Sequence, residues 1–250
     1  MIKGWEHFKI HFRQFSKDFI LVGGVASHLQ LEEIGAPKVR PTKDLDIVLM
    51  MRPSHDFLNH LKKYIKDGGY EIQKGDDEHA WFYRFQNPKH NDYPEMIELF
   101  ASANKDLNLF EEQHIIPVTT PTGIISLSAI LLDDDYFELI KNNAVENDGI
   151  YLLSPLALIP FKAKAYLEIK ERKEDSKKWK KHRSDIINLT VSFLNKDNKA
   201  LLTGQVREHF KEFITQLNKE MTDDIIKGAC QEKITKDEVI TLLEEVFLKD

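Results

Sequence analysis

The stretch that decides the fold is DFILVGGVA, residues 18–26. Its apolar half is typical of a buried strand, and the Gly23-Gly24 pair is typical of a tight turn into the next element. Residues 25–34 then have a helical pattern that ends before Gly35, and residues 45–51 form a second apolar run. The order of strand, glycine pair, helix and strand predicts an α/β arrangement.

Further elements follow on both sides of this stretch. A first helix is predicted over residues 3–15. Another is opened by Pro53, carries apolar residues Phe57, Leu61 and Ile65 every four positions, and ends at Gly68-Gly69. Residues 124–130 fit either a strand or a helix. More strands are predicted at residues 70–73, 80–85, 96–101 and 115–118.

The pattern becomes helical from Ser154 onward. Ser154-Pro155 combines a good N-cap with proline at the first helical position, and the helix that it opens is predicted to reach about Lys173. Near the end of the chain, Thr235 and Glu238 have the spacing of a capping box. We therefore predict a mixed α/β sheet domain flanked by helices over residues 1–150, followed by a helical domain over residues 151–250.

Composition sets limits on location and partners. The chain has 250 residues, a net charge of −6 and one cysteine, which excludes an intrachain disulfide and a cysteine-built zinc site. No apolar run is long enough to span a bilayer and the N-terminus does not resemble a signal peptide, so we expect a cytoplasmic protein without membrane contact. Residues 162–183 carry ten basic and four acidic side chains. A solvated helix face is the ordinary explanation of such a run, unless the protein handles an anion nearby.

Asp44 and Asp46 form the motif that points to chemistry. Side chains alternate along a strand, so the two carboxylates are expected on one face, where they repel each other unless a cation lies between them. Mg²⁺ prefers a few carboxylates together with substrate phosphate oxygens. A D-x-D alone is common and usually marks a polar strand entry. Here it follows a glycine turn that opens a helix, an arrangement that exposes backbone N–H groups to an anion.

At these residues the sequence resembles the nucleotidyltransferase superfamily, specifically its AbiEii-like branch of abortive-infection and toxin-type proteins. The resemblance rests on FILVGGVA at residues 19–26 and RPTKDLDI at residues 40–47. Two later stretches are also similar to the family: LIPFK at residues 158–162 and KHRSDIINL at residues 181–189. The last sixty residues contribute nothing to it.

The resemblance implies a role for each matching residue. Asp44 and Asp46 would hold the metal, and Lys162 and Asp185 would complete the catalytic set. The residues implied in nucleotide binding are Gly23, Gly24, Ser27, Arg40, Thr42 and Lys43. The chain departs from the family at two positions: Val25 stands where a serine or threonine is usual, and Asn188 stands where a second aspartate is often found.

Several roles stay open at the level of sequence. Glu98 either provides a third metal-binding carboxylate or faces water on an edge strand. Asp185 either positions Lys162, takes part in catalysis or caps a helix, and Arg40 contacts either phosphate or an acid beside the D-x-D. The aromatic residues of 81–85 fit a base-stacking face, although core and sheet-surface positions are more common for them.

The leading hypothesis is an enzyme that uses Mg²⁺ or Mn²⁺ and transfers a nucleoside monophosphate from an NTP. Its acceptor would be tRNA or other RNA, a protein or a small molecule, and the basic run at residues 162–183 favours RNA. The resemblance adds a toxin or defence role, with an antitoxin protein as a candidate partner. The alternative is a nucleotide-binding regulatory module that has lost turnover, and a nuclease using the same metal pair is the third possibility. The sequence does not indicate an oligomeric state.

Overall fold

The structure is a computed structural model that describes residues 2–50, 53–72, 83–102, 115–120, 123–231 and 233–249. The chain divides into two compact units. The first comprises Met1–Ala26 and Pro41–Leu153, and the second comprises Ser27–Arg40 and Ser154–Asp250. Among the described residues, no helix combines the length and the apolar character needed to cross a membrane.

The first unit contains the sheet and the helices that flank it. A short 3₁₀ turn, Arg13–Phe15, follows its first helix. Helix α2 begins in this unit and continues into the second. The elements are α1 (Trp5–Phe12), β1 (Phe19–Val22), α2 (Gly23–Glu33), β2 (Asp44–Leu49), α3 (His55–Gly68), β3 (Glu71–Ile72), β4 (Arg84–Gln86), β5 (Met96–Ser102), β6 (Ile115–Thr120), β7 (Gly123–Leu132), α4 (Asp134–Asn142), β8 (Ala144–Asn147) and β9 (Ile150–Leu153).

The described strands form one mixed sheet in the order β3-β4-β5-β2-β1-β9-β8. Strand β2 lies in the middle, antiparallel to β1 and parallel to β5. Strand β5 also pairs with β4 over its first half and with β7 over its second half. Strands β2 and β5, which carry the carboxylates proposed to bind a metal, are therefore interior strands.

Aromatic side chains hold the helices against this sheet. Phe19 on β1 lies edge-on to Phe8 of α1, with ring centroids 5.8 Å apart, and stacks on Phe57 of α3 at 5.5 Å. The apolar positions predicted for α3 are buried, because their four-residue spacing places them on one face of the helix. Ser54 caps α3 by accepting a hydrogen bond from the Phe57 N–H, so the helix begins two residues after Pro53.

The described part of the second unit is helical, apart from connecting segments. The capping box of Thr235 and Glu238 is present as predicted, and Val239, Leu243, Val246 and Phe247 behind it are buried. The helices that lie wholly within this unit are α5 (Pro155–Glu171), α6 (Ser176–Phe193), α7 (Gly204–Glu220), α8 (Asp223–Ala229) and α9 (Lys236–Phe247).

The predicted fold class, a mixed α/β sheet flanked by helices and followed by helices, is confirmed. Residues 124–130, left open as strand or helix, lie in strand β7. Helix α4 and the hairpin of β8 and β9 were not predicted. The predicted border at residue 150 falls within that hairpin, whereas the two units divide between Leu153 and Ser154. Predictions for Gln73 and for residues 80–82, including Trp81, fall outside the described residues.

Candidate functional site

Asp44 and Asp46 lie at the start of β2 with their side chains on one face of the sheet. The strand alternates between half-buried and buried side chains at residues 44–47, so both carboxylates are on its more accessible face. Within the part of the chain that the structure describes, the Asp44 carboxylate has no hydrogen-bond or ion-pair partner. Asp44 therefore presents negative charge that is available to a cation.

Gly23 lies directly against the Asp46 carboxylate. It is the first residue of α2 and has φ of +63°, a backbone conformation that favours glycine. A Cβ at this position would overlap the Oδ2 atom of Asp46. Gly23 is thus required for two reasons, the backbone turn and the close approach of a carboxylate. It brings the start of α2 next to the D-x-D motif, with Gly24 as the second helical residue.

Glu98 is the neighbour of Asp46 on strand β5. The register places Asp46 opposite Glu98 and Glu98 opposite Arg84 of β4, so the three side chains form a row across one face of the sheet. Strand β5 is interior and Glu98 is only 8% exposed. The alternative of an edge-strand glutamate in water is therefore wrong. The Glu98 carboxylate accepts a hydrogen bond from Arg84 Nε at 2.7 Å and a second contact from the Arg84 Nη2.

Two other residues of the proposed nucleotide-binding set lie just before β2. Thr42 is buried, and Lys43 is exposed. The Lys43 ammonium lies 3.0 Å from the Glu95 carboxylate, in a surface ion pair that contributes little to stability. Their roles in nucleotide binding stay predictions.

Three other predicted residues, Arg40, Lys162 and Asp185, meet in the second unit, in a cluster centred on Asp185 of α6. Arg40 donates two hydrogen bonds to the Asp185 carboxylate, from Nε to Oδ1 and from Nη2 to Oδ2, each 2.9 Å long. Lys162 of α5 donates to Oδ2 at 2.7 Å. Lys162 is only 1% exposed, so its charge lies in the interior with Asp185 as its partner. We call Arg40, Lys162 and Asp185 the ion cluster.

The charges of the ion cluster control the protonation of nearby groups. Burial alone would raise the pKa of Asp185, but Lys162 and Arg40 hold that pKa well below its usual range. The neighbouring His182 experiences the opposite balance. Burial, and then the positive charges of Lys162 and Lys181, lower the pKa of His182 to about 3. At neutral pH the ion cluster therefore holds two positive charges and one negative charge, beside an uncharged histidine.

The cluster bears on the open roles of Asp185 and Arg40. Asp185 lies in the middle of α6, so it does not cap that helix. Arg40 pairs with an acid, although that acid is Asp185 and not a neighbour in sequence. Asn188, one turn after Asp185, donates a hydrogen bond of 2.6 Å to the Lys38 carbonyl. An aspartate at this position would have no N–H for that bond, which gives a physical reason for asparagine here. Ser27 is buried in α2.

A basic surface follows at the end of α5 and the start of α6. Its centre is Trp179, whose ring lies 5.3 Å from the Lys170 ammonium and 5.5 Å from both the Lys180 ammonium and the Arg183 guanidinium. Lys173, Lys177 and Lys181 are exposed and make no ion pair with any residue that the structure describes. The members of the basic surface are Lys170, Arg172, Lys173, Lys177, Lys178, Trp179, Lys180 and Lys181.

The donor set in the first unit fits a hard divalent cation. Among the described residues, no group of three or more histidine, cysteine, aspartate or glutamate side chains is arranged to hold a metal ion. A site based on Asp44 and Asp46 thus has two carboxylates. Mg²⁺ usually keeps several waters and binds through one or two carboxylates plus substrate phosphates, so two ligands are sufficient for it.

Sequence reasoning missed Arg84 as a member of the site. Side chains alternate along a strand, so Arg84 lies on the opposite face from the buried Phe85. No local pattern, however, predicted that β4 pairs with β5 in the register that places Arg84 beside Glu98.

No known family profile and no curated protein sequence matches the chain. Several solved structures are similar in chain path. One of them is the Megavirus polyadenylate synthase (14% identity, TM-score 0.38). The similarity extends over 87% of this chain but over only 36% of the viral protein. The similarity to the JHP933 protein of Helicobacter pylori (13% identity, TM-score 0.40) extends over 97% of this chain and 88% of that protein. The similarity to an antigenic nucleotidyltransferase-like protein of Paracoccidioides brasiliensis (15% identity, TM-score 0.38) extends over 89% of this chain and 88% of that protein. All three TM-scores lie below 0.5, and the chemistry proposed below rests on the side chains of this chain.

Proposed function

We propose that the protein is a Mg²⁺-dependent nucleotidyltransferase that transfers a nucleoside monophosphate from an NTP to an acceptor. The observation that carries the proposal is the contact between the glycine turn and the D-x-D motif. The Asp46 carboxylate occupies the space that a Cβ at Gly23 would fill. A carboxylate pair for a metal and a helix start for a phosphate are thereby next to each other.

Each of these residues has a definite task in the proposed reaction. Asp44 and Asp46 would hold Mg²⁺ or Mn²⁺, which neutralises phosphate charge and orients the α-phosphate for in-line displacement. The backbone N–H groups at the start of α2, from Gly23 and Gly24, would face the phosphates, where the positive end of the helix dipole favours an anion. The α-phosphorus then forms a bond to the acceptor nucleophile, and pyrophosphate leaves with the electrons of the broken bond.

The resemblance also assigns tasks to residues of the second unit. For Lys162 and Asp185, the short buried ion pair supports the interpretation that Asp185 positions the lysine. The ion cluster keeps one positive charge in excess, which suits a group that attracts an anion. Arg40, the cluster's more exposed member, and Ser27 stay candidates for nucleotide contacts. The AbiEii-like branch, the toxin role, an antitoxin partner and a cytoplasmic location are proposals that rest on sequence alone.

RNA is the acceptor that the charges favour. The basic surface holds seven cationic side chains, and four of them, Lys173, Lys177, Lys180 and Lys181, are exposed without an ion pair among the described residues. Lys170 and Arg183 beside the Trp179 ring already pair with Glu220, so the exposed lysines are the cations left for a polyanion. A protein or small-molecule acceptor would make no use of this surface.

The proposal is tested by label transfer. Purified protein is incubated with Mg²⁺ and each of the four α-³²P-labelled NTPs, with and without bulk tRNA, beside the double variant Asp44→Ala/Asp46→Ala. We expect label on RNA with the wild type and none with the variant. The exposed Asp197, changed to Ala, is the matched control and should leave transfer unchanged.

Two other results would replace the proposal. NTP binding without transfer, identical in wild type and double variant, would favour the regulatory module that lacks turnover. Metal-dependent shortening of the RNA without label incorporation would favour a nuclease.

The role of the basic surface is tested separately by fluorescence anisotropy with labelled tRNA. The triple variant Lys173→Glu/Lys177→Glu/Lys181→Glu should bind at least about ten-fold more weakly, with a salt dependence reduced by about 2 in slope for three lost phosphate contacts. Its control is Lys196→Glu/Lys219→Glu/Lys227→Glu, which changes the net charge equally at exposed lysines elsewhere. Equal losses in both triple variants would show that only net charge matters and would refute a specific RNA surface.

A further inference from the structure

Three histidines lie together where helix α1 packs on helix α3, away from the D-x-D motif and the ion cluster. His7 and His11 are one turn apart on α1, with ring centroids 4.6 Å apart. The ring of His60 on α3 lies 5.7 Å from that of His11, which makes His11 the central ring of the three. All three side chains are half-buried. We call His7, His11 and His60 the histidine cluster.

The contacts of the histidine cluster suit neutral imidazole rings. His7 Nδ1 shares a hydrogen bond of 3.0 Å with the Tyr64 hydroxyl. The His60 ring lies 5.3 Å from the ring of Phe12 and 5.2 Å from that of Phe15, and its Nε2 atom is buried without a hydrogen-bond partner among the described residues. Protonation places an N–H group on both ring nitrogens, so a charged His60 would bury a donor that has no acceptor.

The charged groups around the histidine cluster offer little compensation for added protons. Lys63 forms an ion pair with Asp67, and Glu6 and Lys9 of α1 pair with each other. Asp92 is exposed and makes no ion pair with any residue that the structure describes. Full protonation would therefore set three positive charges against Asp92. The titratable groups that act on the cluster or on its ring partners are Lys63, Tyr64, Lys66 and Asp67 of α3, Tyr70, and His90, Asp92 and Tyr93 of residues 87–95.

Proton binding within the cluster is coupled through His11. Burial, and then the charge of His11, lower the pKa of His7, and Asp92 offsets this only in part. Burial and then His11 also lower the pKa of His60. Once α1 separates from α3, these histidines regain an ordinary pKa near 6.5 and bind protons at a higher pH than in the packed form. As the pH falls below that value, proton binding consequently favours the separated form.

We propose that the histidine cluster is a pH switch, whose protonation loosens α1 from α3 while the sheet keeps its strand pairing. The response is local because α1 contributes no strand, and the described sheet is held together by pairs such as β1 with β2. Burial of Trp5, Phe8 and Phe12 keeps α1 in place at neutral pH, when the imidazoles are uncharged. This inference concerns the fold and does not depend on the proposed function.

The first test is amide hydrogen exchange of the full chain at pH 7.5 and pH 5, resolved by residue and corrected for the pH dependence of intrinsic exchange. Amides of residues 8–13 bond within α1 or at its ends. Their protection should fall about ten-fold or more at pH 5, whereas amides of β1 and β2 should change by less than about three-fold. Equal losses in the helix and the strands, or no loss in the helix, would overturn the proposal.

The second test uses His11→Gln, which removes the central charge and keeps a polar side chain. The pKa values of His7 and His60, followed by NMR titration of their ring C–H signals, should both rise towards the ordinary value, a response that a purely structural role of His11 would not produce. The loss of α1 protection at pH 5 should also become smaller. His55→Gln, at an exposed histidine of α3, is the matched control and should leave both measurements at wild-type values. Unchanged pKa values of His7 and His60 in His11→Gln would refute the coupling on which the switch depends.

Discussion

Acidic side chains in the two units have opposite surroundings. In the first unit, Arg84 pairs with the buried Glu98, whereas Asp44 and Asp46 lie half-buried on the same face of the sheet. In the second unit, one buried carboxylate, Asp185, is bonded to two cations. The first arrangement leaves negative charge for a divalent cation, whereas the second neutralises its acid completely and keeps a positive excess.

The difference shows how to separate acids that serve binding from acids that serve the fold. A buried charge without a partner is expensive, so a fully paired acid such as Asp185 secures the lysine and arginine that surround it. A half-buried acid without an ion-pair partner, such as Asp44, is retained at the expense of repulsion from its neighbour. Such a repulsive pair is explained when a cation binds to it.

The largest expected effect comes from substituting the aspartates of the D-x-D motif. Asp44→Asn or Asp46→Asn should lower kcat for nucleotidyl transfer by about 10³-fold or more, equivalent to about 4 kcal/mol of transition-state stabilisation. Stability should not fall in Asp44→Asn, because that change relieves repulsion between the two carboxylates. Steady-state kinetics with urea unfolding measures both. A variant that transfers at the wild-type rate would contradict the metal role of its aspartate.

The ion cluster should respond in the opposite way. Lys162→Met removes a buried cation from Asp185 and should lower the free energy of unfolding by about 3–5 kcal/mol. Lys164 is the matched control on the same helix, because its side chain is 22% exposed and 3.8 Å from Glu168, so Lys164→Met should change stability little. Equal unfolding midpoints in urea for both variants would refute the structural role of the cluster.

A smaller effect concerns the contact between Gly23 and Asp46. Gly23→Ala places a methyl group where the Asp46 carboxylate lies, so Mn²⁺ affinity should fall by about ten-fold or more. Gly35 has the same backbone conformation, with φ of +64°, and open space around its Cβ position. Gly35→Ala should therefore share the conformational destabilisation of about 1 kcal/mol but leave metal affinity unchanged. Parallel losses of affinity would show that backbone strain alone explains the result.

The smallest effect is a pH dependence that originates beside the ion cluster. The pKa of His182 is lowered to about 3, so the unfolded state, with an ordinary histidine pKa, binds the proton first as the pH falls. Stability contributed by the neutral imidazole is therefore lost between about pH 6.5 and pH 3, with a slope of at most about 1.4 kcal/mol per pH unit. Chemical unfolding at pH 7 and pH 5 should show a smaller loss for His182→Gln than for the wild type. An equal loss would place the acid sensitivity elsewhere.

Local patterns were sufficient to predict the elements that carry the D-x-D motif. The apolar strand, the glycine pair and the D-x-D motif each follow from neighbouring residues, and the alternation of a strand placed Asp44 and Asp46 on one face. The structure adds the contact between Gly23 and Asp46, which depends on the pairing of β1 with β2.

Other features depend on distant residues and were beyond local reasoning. Arg40 and Asp185 are 145 positions apart, and strand register alone decides that Arg84 neutralises Glu98. Two omissions had local signals. Asp133 caps α4, and Asp148-Gly149 forms the two-residue turn between β8 and β9, with positive φ at both residues. The short polar strand Ala144–Asn147 lacks the apolar alternation that would have drawn attention to this turn.

The most direct test of the central claim is a crystal structure of the protein with Mn²⁺ and a non-hydrolysable NTP analogue, with anomalous diffraction recorded for manganese. The account predicts an anomalous peak about 2 Å from carboxylate oxygens of both Asp44 and Asp46, with a phosphate oxygen completing the site beside Gly23. A nucleotide bound with manganese away from these two aspartates, or bound with no manganese near them, would contradict it.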